Sequence, residues 1–323
     1  PVANDPSVGS RVALSALVAD LSELTAQAKG VHVGHFVGDA RERIEEIRAR
    51  AARVEAGGMV GLHTGLDLFD KAGDGWQAGD LVAVIGALNV GKSFFILWTA
   101  AHAWYYDKAK VVFISPESKQ FDVMARLHAI VAHFERRTLS NRAIRRGTVD
   151  FIDFEAHVTA LEEREAPDFI VIEQESTAGF TTNDIIAVAR EHRPELLVVD
   201  GFHLIRTPNK SGDSGKSWEN MKAGADAIKV AAQALNMAVI AGSQATRGAV
   251  MAPGDAPELG ESAYGMGLVE AANRVIALAA RPSNKKHRTF KVQKNRDDEV
   301  PRDSFYLNFD VDTGDIKQIE PNE

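Results

Sequence analysis

The feature that most constrains the fold of this chain is the segment Gly86-Ala-Leu-Asn-Val-Gly91-Lys92-Ser93. It fits the pattern GxxxxGK[ST], and it lies between an apolar run that predicts a strand and a stretch that predicts a helix. In such a P-loop the backbone N–H groups surround phosphates, the lysine contacts the β- and γ-phosphates and the serine hydroxyl binds Mg²⁺. The alternative, a chance glycine turn, is disfavoured by the elements on either side. We expect a nucleoside triphosphate, taken as ATP, and Mg²⁺ to bind at Gly86, Asn89, Gly91, Lys92, Ser93 and Phe94.

The rest of the chain from residue 59 to residue 280 alternates short apolar runs with helical stretches. The runs predict strands at Leu81–Ile85, Val111–Ile114, Phe169–Ile172, Leu196–Val199, Ala238–Ala241 and Val275–Ala279. Helices are predicted at 92–106, 119–134, 182–192 and 218–235. This alternation predicts an α/β fold with a mainly parallel twisted sheet, buried on both faces by helices. Residues 287–319 change to a polar–apolar alternation, which predicts antiparallel strands at the edge of that sheet.

The chain before the P-loop core predicts a separate helical arm. Residues 11–56 have the pattern of two helices, and the second consists almost entirely of charged residues and alanine, with Ile44 and Ile47 on one face. This second helix is either a solvated surface helix or an arm that packs on a neighbouring subunit. Gly57 and Gly58 end it, so we expect a helical arm at 1–58 and an ATPase domain at 59–323.

Composition excludes several classes of site. The chain has no cysteine, which rules out disulfides, iron–sulfur clusters and thiolate zinc sites, and its histidines form no metal-binding spacing. No apolar run is long enough for a membrane span and the N-terminal residues are polar, so a cytoplasmic protein is expected. The net charge of −8 argues against broad coating of nucleic acid but leaves a small local site possible.

Polar residues at the ends of three predicted strands complete the expected catalytic group. Asp200 directly follows the strand at 196–199, where a carboxylate can hold Mg²⁺ through water; otherwise it caps a loop. Glu117 follows the next strand after the P-loop helix, and we expect that strand to lie beside the P-loop strand, with Glu117 activating water near the γ-phosphate. The alternative for Glu117 is a surface residue that starts a helix. Gln244 ends the strand at 238–241, where it can contact the γ-phosphate.

Two cations lie on a late predicted strand, within the segment FKVQKNRDD. Lys294 and Arg296 either belong to a solvated edge strand or enter the ATP site of a neighbouring subunit. A cation supplied to a phosphoryl-transfer site in this way is worth about 10³–10⁵ in rate.

The order of these motifs resembles the helicase domain of the DnaB-like replicative helicases, hexameric superfamily-4 enzymes of bacteria and phages. The resemblance covers roughly residues 61–319. It is carried by the lead-in and P-loop, then by FISPES, LLVVDGFHLI, SWENMKAGADAIKVAAQALNMAVIAGSQATRG, LGESAYGMGLVEAANRVIAL and KNR. It implies a RecA-like ATPase in which Lys92, Glu117, Gln244, Lys294 and Arg296 are catalytic, Ser93 and Asp200 hold the metal, and Lys294 and Arg296 reach the next subunit.

The resemblance has departures at the expected DNA loop and before the core. Where the family has Arg-Glu-Ser-Gly, this chain has Gly260 followed by Glu261, Ser262 and Ala263, so the basic contact is missing. DNA contacts at Glu261, Ser262 and Ala263 would then depend more on backbone N–H groups, and Lys210, Lys216 or Arg247 could compensate. Gly201 follows Asp200 in place of the family's tyrosine-like residue. The residues before the core are too few for the usual primase-binding domain, so 11–56 is expected to form a reduced collar and a linker helix.

The resemblance implies a homohexameric ring that hydrolyses ATP and moves along single-stranded DNA, 5′ to 3′, in replication. Its expected partners are single-stranded DNA, further copies of the chain, and a primase or a helicase loader. An alternative from a different class is a RecA-fold regulatory or assembly ATPase without unwinding activity, which the altered DNA loop keeps open. A recombinase-type filament fits the glutamate tripeptide and the late K-x-R less well.

Overall fold

The computed structural model describes residues 34–55, 58–174, 179–207, 218–244, 266–281, 284–296, 299–301 and 304–320. The chain separates into two compact units, Pro1–Gly58 and Met59–Glu323. In the first unit, helix α1 covers Ala40–Glu55, as the charged pattern predicts, and none of its residues is buried within the chain. Ile44, Ile47 and Val54 are each about half exposed or more, so the helix presents an apolar stripe to solvent. The expected helix before α1 lies outside the described residues.

The second unit is built on one nine-stranded sheet. Its strands are β1 Leu81–Gly86, β2 Val111–Ser115, β3 Phe169–Glu173, β4 Leu196–Asp200, β5 Ala238–Gln244, β6 Arg274–Ala280, β7 His287–Asn295, β8 Phe305–Asp310 and β9 Asp315–Ile319. The helices are α2 Asp67–Gly73, α3 Lys92–Tyr106, α4 Gln120–Phe134, α5 Asn141–Arg146, α6 Phe151–Glu162, α7 Thr182–His192, α8 Trp218–Leu235 and α9 Met266–Ala271. All six predicted parallel strands and the four predicted helices are present, which confirms the expected α/β fold. The short helices α2, α5, α6 and α9 were not predicted.

The strand order is β3-β2-β4-β5-β1-β6-β7-β8-β9. The P-loop strand β1 therefore pairs with β5 and β6. The expectation that β2 lies beside β1 is wrong, because β2 pairs with β3 and β4. Alternation of strands and helices along a sequence predicts a parallel sheet, but it does not specify which strands become neighbours. The strands that carry Asp200 and Gln244 occupy the two positions between β1 and β2.

The two faces of the sheet bury separate apolar layers. One layer packs around α3 and α4 and includes Val82, Val84, Phe95 and Phe113, whereas the residues between them along the strands face α7, α8 and α9. Strand β3 departs from the expectation of full burial, since it forms an edge of the sheet and is only half-buried.

The last three strands form the antiparallel extension predicted from the alternating pattern, and they continue the sheet from β6. Through this extension, residues late in the sequence come to lie against the P-loop. Within the described ranges, every helix is too short or too polar to cross a membrane.

Candidate active site

The P-loop connects the buried strand β1 to the N-terminus of α3. Two of its residues have left-handed backbone conformations, Asn89 with φ 61° and Gly91 with φ 92°. Glycine adopts this conformation without strain at position 91, and asparagine tolerates it at position 89, whereas bulkier residues do not. A Cβ atom at Gly91 would also lie 3.0 Å from the ring of Phe309. Phe94 is buried and packs edge-on against the same ring, with centroids 5.6 Å apart. The predicted phosphate loop is therefore held from behind by β8.

The side chains of Lys92 and Asp200 meet over a glycine of β5. Lys92 is buried at the start of α3, and Asp200 is buried at the end of β4. Gly242 pairs with Asp200, and a Cβ atom there would lie 3.0 Å from Asp200 Oδ1 and 3.4 Å from Lys92 Cε. The glycine thus gives both functional side chains the space to approach the same point. Burial lowers the pKa of the Lys92 amine, while the charges of Asp200 and Glu117 act to raise it.

The carboxylate of Asp200 has the properties of a metal-associated group. Burial raises its pKa, while a hydrogen bond from Ser93 and the charges of Lys92 and Arg126 act to lower it. Its Oδ1 atom is buried and has no hydrogen-bond partner in the described part of the chain. An orphaned carboxylate oxygen beside a serine hydroxyl fits Mg²⁺ or a water of its shell, since Mg²⁺ on a P-loop usually keeps several waters. Among the described residues, no group of three or more His, Asp or Glu side chains could by itself hold a metal ion.

Glu117 reaches this site although β2 is not beside β1. It lies two residues beyond the end of β2, is exposed, and accepts a hydrogen bond of 3.3 Å from the side-chain nitrogen of Gln244. Its carboxylate also passes near Gly201, where an added Cβ atom would lie 3.8 Å from Glu117 Oε2. Gly201 has φ 103°, so the glycine after Asp200 permits the turn that brings the ends of β4 and β2 together.

Lys294 and Arg296 do not join the P-loop of their own chain. Lys294 pairs with Val275 and the backbone of Arg296 bonds to Asn273, whereas the P-loop end of β1 pairs with Leu278. At about 3.3 Å per strand residue, the three residues between Val275 and Leu278 and the five between Asn273 and Leu278 correspond to about 10 Å for Lys294 and about 17 Å for Arg296 along the strands. The two cations therefore lie toward the opposite end of the strands from the P-loop.

Their side chains are held at the C-terminal end of α9. Lys294 Nζ donates to the carbonyls of Val269 and Glu270 at 2.9 and 3.1 Å, and Arg296 Nη2 donates to Glu270 at 2.9 Å. Burial, together with the charge of Arg296, lowers the pKa of Lys294 to about 8. Carbonyls at a helix C-terminus favour nearby cations, so the pair is fixed in place as a basic cluster.

The expected DNA contacts cannot be placed in the same way. Lys210, Lys216, Arg247, Glu261, Ser262 and Ala263 all lie outside the described residues.

Three residues near the site were missed by the sequence reasoning. Gly242 had a usable signal, because a glycine inside a buried strand often marks a close approach of other groups. Arg126 on α4 acts on Asp200 through its charge, and Arg288 on β7 donates to the carbonyl of Val90. Neither arginine lies in a recognisable motif, and both reach the site only through tertiary packing.

Comparison with known proteins agrees with this geometry. Residues 61–316 match the DnaB-like helicase C terminal domain family. Replicative DNA helicase DnaB of Treponema pallidum (strain Nichols) is 26% identical over 243 residues, which are 74% of this chain and 52% of that protein. Its counterpart from Rhodothermus marinus is 24% identical over 242 residues, 73% of this chain and 24% of that protein. The chain thus spans about half or less of the length of these curated relatives.

Two solved structures share the fold. One, of a DnaB-like replicative helicase and its interactions with primase, matches with a TM-score of 0.70 at 20% identity, over 94% of this chain and 71% of that one. The other, a solved ATPase domain, matches with a TM-score of 0.72 at 19% identity, over 90% of this chain and 100% of that one. These similarities confirm the predicted RecA-like architecture.

Proposed function

Because the chain belongs to the DnaB-like helicase C-terminal domain family, we propose that it hydrolyses ATP and uses the energy to move along single-stranded DNA in replication. The observation that carries this proposal is the division of one proposed catalytic set between the two ends of the strands. The P-loop, Asp200 and Glu117 gather at one end, and Lys294 and Arg296 are held toward the other. A second copy of the chain would supply the missing cations, as the resemblance to hexameric ring helicases implies.

In this proposal the residues around the P-loop supply the chemistry at the first end of the strands. A bound Mg²⁺ would neutralise charge on the β- and γ-phosphates, and Ser93 and Asp200 are the residues that would hold it. Lys92 is placed to contact the same phosphates from the start of α3, where the helix N-terminus adds partial positive charge. In this proposal Glu117 orients and deprotonates the attacking water, and the hydrogen bond from Gln244 to its carboxylate supports that role.

The proposed assembly is a head-to-tail ring of six copies that encloses single-stranded DNA and moves 5′ to 3′. Lys210, Lys216, Arg247 and the segment from Glu261 to Ala263 remain the proposed DNA contacts. A primase or a helicase loader is proposed as a further partner, with residues 1–58 as an arm that docks on a neighbouring copy or on that partner. A role in replication would place the protein in the cytoplasm of a bacterium or of a phage-infected host.

The first test is the ATPase rate with and without single-stranded DNA, at protein concentrations high enough for assembly. Strong stimulation by single strands, but not by duplex alone, is the expected result. Lys92→Ala is the control and should abolish turnover, since it removes the charge that binds the phosphates. Turnover that is steady but indifferent to DNA would instead support the regulatory or assembly ATPase. Full activity of Lys92→Ala would refute the assignment of the P-loop.

A further inference from the structure

A buried arginine lies directly behind the P-loop. Arg288, on β7, is only 8% exposed and pairs with Ala280 on one side and Leu307 on the other. Its Nε atom donates a hydrogen bond to the backbone carbonyl of Val90, the residue between Asn89 and Gly91 in the loop. This contact joins residues almost two hundred positions apart, and neither the motif nor the proposed catalytic set includes it.

The guanidinium of Arg288 is fixed by further contacts with the turn before β7, with β7 itself and with β8. Its Nη1 atom donates to the carbonyls of Lys285 and His287 at 2.7 and 2.8 Å. Its central carbon lies 5.3 Å from the centre of the Phe309 ring, the same ring that contacts Gly91. A guanidinium that is always charged and is held by the carbonyls of Lys285 and His287 is a well-defined donor for the carbonyl of Val90.

The carbonyl that Arg288 binds belongs to the peptide unit between Val90 and Gly91. In a planar trans peptide the C=O and N–H groups point in opposite directions. Holding the Val90 carbonyl toward β7 therefore directs the Gly91 N–H away from β7. Gly91 needs such a restraint, because glycine has the most backbone freedom and can allow this peptide unit to rotate.

We propose that Arg288 is a positioning residue that fixes the orientation of the Val90–Gly91 peptide and so organises the P-loop for polyphosphate before the nucleotide arrives. The inference rests on the proposed nucleotide-binding function and extends it to a residue of the antiparallel extension. Arg288 itself does not contact the phosphates in this arrangement. It acts from behind the loop, through one backbone carbonyl.

The test measures binding of a fluorescent ADP analogue, and competition by inorganic triphosphate, which has no base or ribose. Arg288→Met keeps an apolar stem and removes all donors. Affinity for both ligands should fall about tenfold or more, since a hydrogen bond from a charged donor is lost at the loop. In turnover assays the KM for ATP should rise by a larger factor than kcat falls. Arg288→Lys, which restores one charged donor, should recover part of the affinity.

Lys286→Met is the matched control. It removes a cation two residues from Arg288, and the contact it loses is a surface ion pair with Asp310. Its affinities should equal those of the wild-type chain. If Arg288→Met lowers the urea midpoint but binds both ligands as the wild type does, Arg288 is merely structural and the inference is overturned. Should Arg288→Met fail to fold, Arg288→Gln applies the same criterion. Nucleotide binding without any response to DNA would contradict the translocase and leave the role of Arg288 intact.

Discussion

The side-chain nitrogen of Gln244 lies 3.3 Å from Oε1 of Glu117, although strand β4 separates the strands that carry them. A neutral amide donor fixes the position of the carboxylate without neutralising its charge. Gln244, at the end of β5, is therefore coupled to Glu117, and any movement of Gln244 would change the position of that carboxylate.

Replacing Glu117 by Gln should separate binding from turnover. The variant keeps the shape of the side chain but cannot accept a proton from water, so kcat should fall about 10²–10⁴-fold. Nucleotide affinity should change by only a few-fold, because Lys92 and the backbone of the P-loop remain. Steady-state ATPase assays and binding of a fluorescent nucleotide test this. Retention of wild-type kcat would remove Glu117 from the catalytic set.

Mixing two inactive variants should restore activity if the cations act in a neighbouring copy. Arg296→Ala should bind nucleotide, because its own P-loop lies at the other end of the strands, but it should turn nucleotide over slowly without the cation. Combined with Glu117→Ala, it should form some interfaces that have both an intact Glu117 and an intact Arg296. ATPase activity of the mixture, compared with that of each variant alone, reports this rescue. Activity no greater than the sum of the separate variants would contradict catalysis in trans.

Gly242→Ala should damage the site and the fold together. The added methyl group would lie 2.8 Å from Ile96 Cδ1 and 3.0 Å from Asp200 Oδ1, so both side chains would have to shift. Overpacking of this kind usually costs about 1–3 kcal/mol of stability, and the shift of Asp200 should weaken nucleotide binding in the presence of Mg²⁺. Urea denaturation and nucleotide titration measure the two effects.

Ser243→Ala is the control for this change, because it alters the next residue of β5 on the opposite face of the sheet. The Ser243 hydroxyl is buried and has no hydrogen-bond partner in the described ranges. Its removal should leave stability and nucleotide affinity close to those of the wild type. Equal damage from both substitutions would show that β5 tolerates no change at all, and that the close approach at Gly242 is not the cause.

Lys294 should give the ATPase an alkaline limit. Burial and the charge of Arg296 lower its pKa to about 8, so the amine is charged below that pH and neutral above it. If the charge is needed at a neighbouring nucleotide, kcat/KM should fall as the pH rises through about 8. Lys294→Arg stays charged, so its kcat/KM should not fall in this pH range. Superimposable pH profiles of the two proteins would show that the charge of Lys294 is not required.

Acid should destabilise the second unit through two histidines. Burial lowers the pKa of both His102 and His128 to about 4, below the ordinary value of 6.5. Between these values the unfolded chain binds more protons, so stability present above pH 6.5 is lost as the pH falls toward 4. Each histidine contributes a loss of up to about 1.4 kcal/mol per pH unit in that window. Urea midpoints at about pH 7 and about pH 5 should differ less for His128→Gln than for the wild type.

The sequence predicted the local elements of this fold well and their neighbours less well. Helices α3, α7 and α8 begin and end where the pattern places them, because capping residues and apolar periodicity are local properties. The position of β2 was wrong, since strand pairing depends on crossovers that local periodicity does not encode. Glu117 was nevertheless identified, because its position after a strand end is what brings it to the site.

The residues that sequence reasoning missed are those whose role depends on contacts between distant segments. Arg288 and Phe309 belong to strands with the polar–apolar pattern of a sheet edge, and only the register of β7 and β8 places them behind the P-loop. Lys294 and Arg296 were identified as candidates, but the sequence left a solvated strand as the alternative. The two cations donate to carbonyls of α9, away from the P-loop of their own chain, and the mixing experiment tests whether they act at an interface.

The P-loop and the basic cluster lie toward opposite ends of the strands, and this sets the number of catalytic centres in an assembly. If each centre needs the P-loop of one chain and the basic cluster of another, a linear assembly always has one centre fewer than it has chains. Only closure into a ring makes the two numbers equal. Specific activity per chain would then rise with the length of the assembly, reach its maximum at closure and vanish on dilution to single chains. A simple measurement of rate against protein concentration would therefore report on the geometry of association.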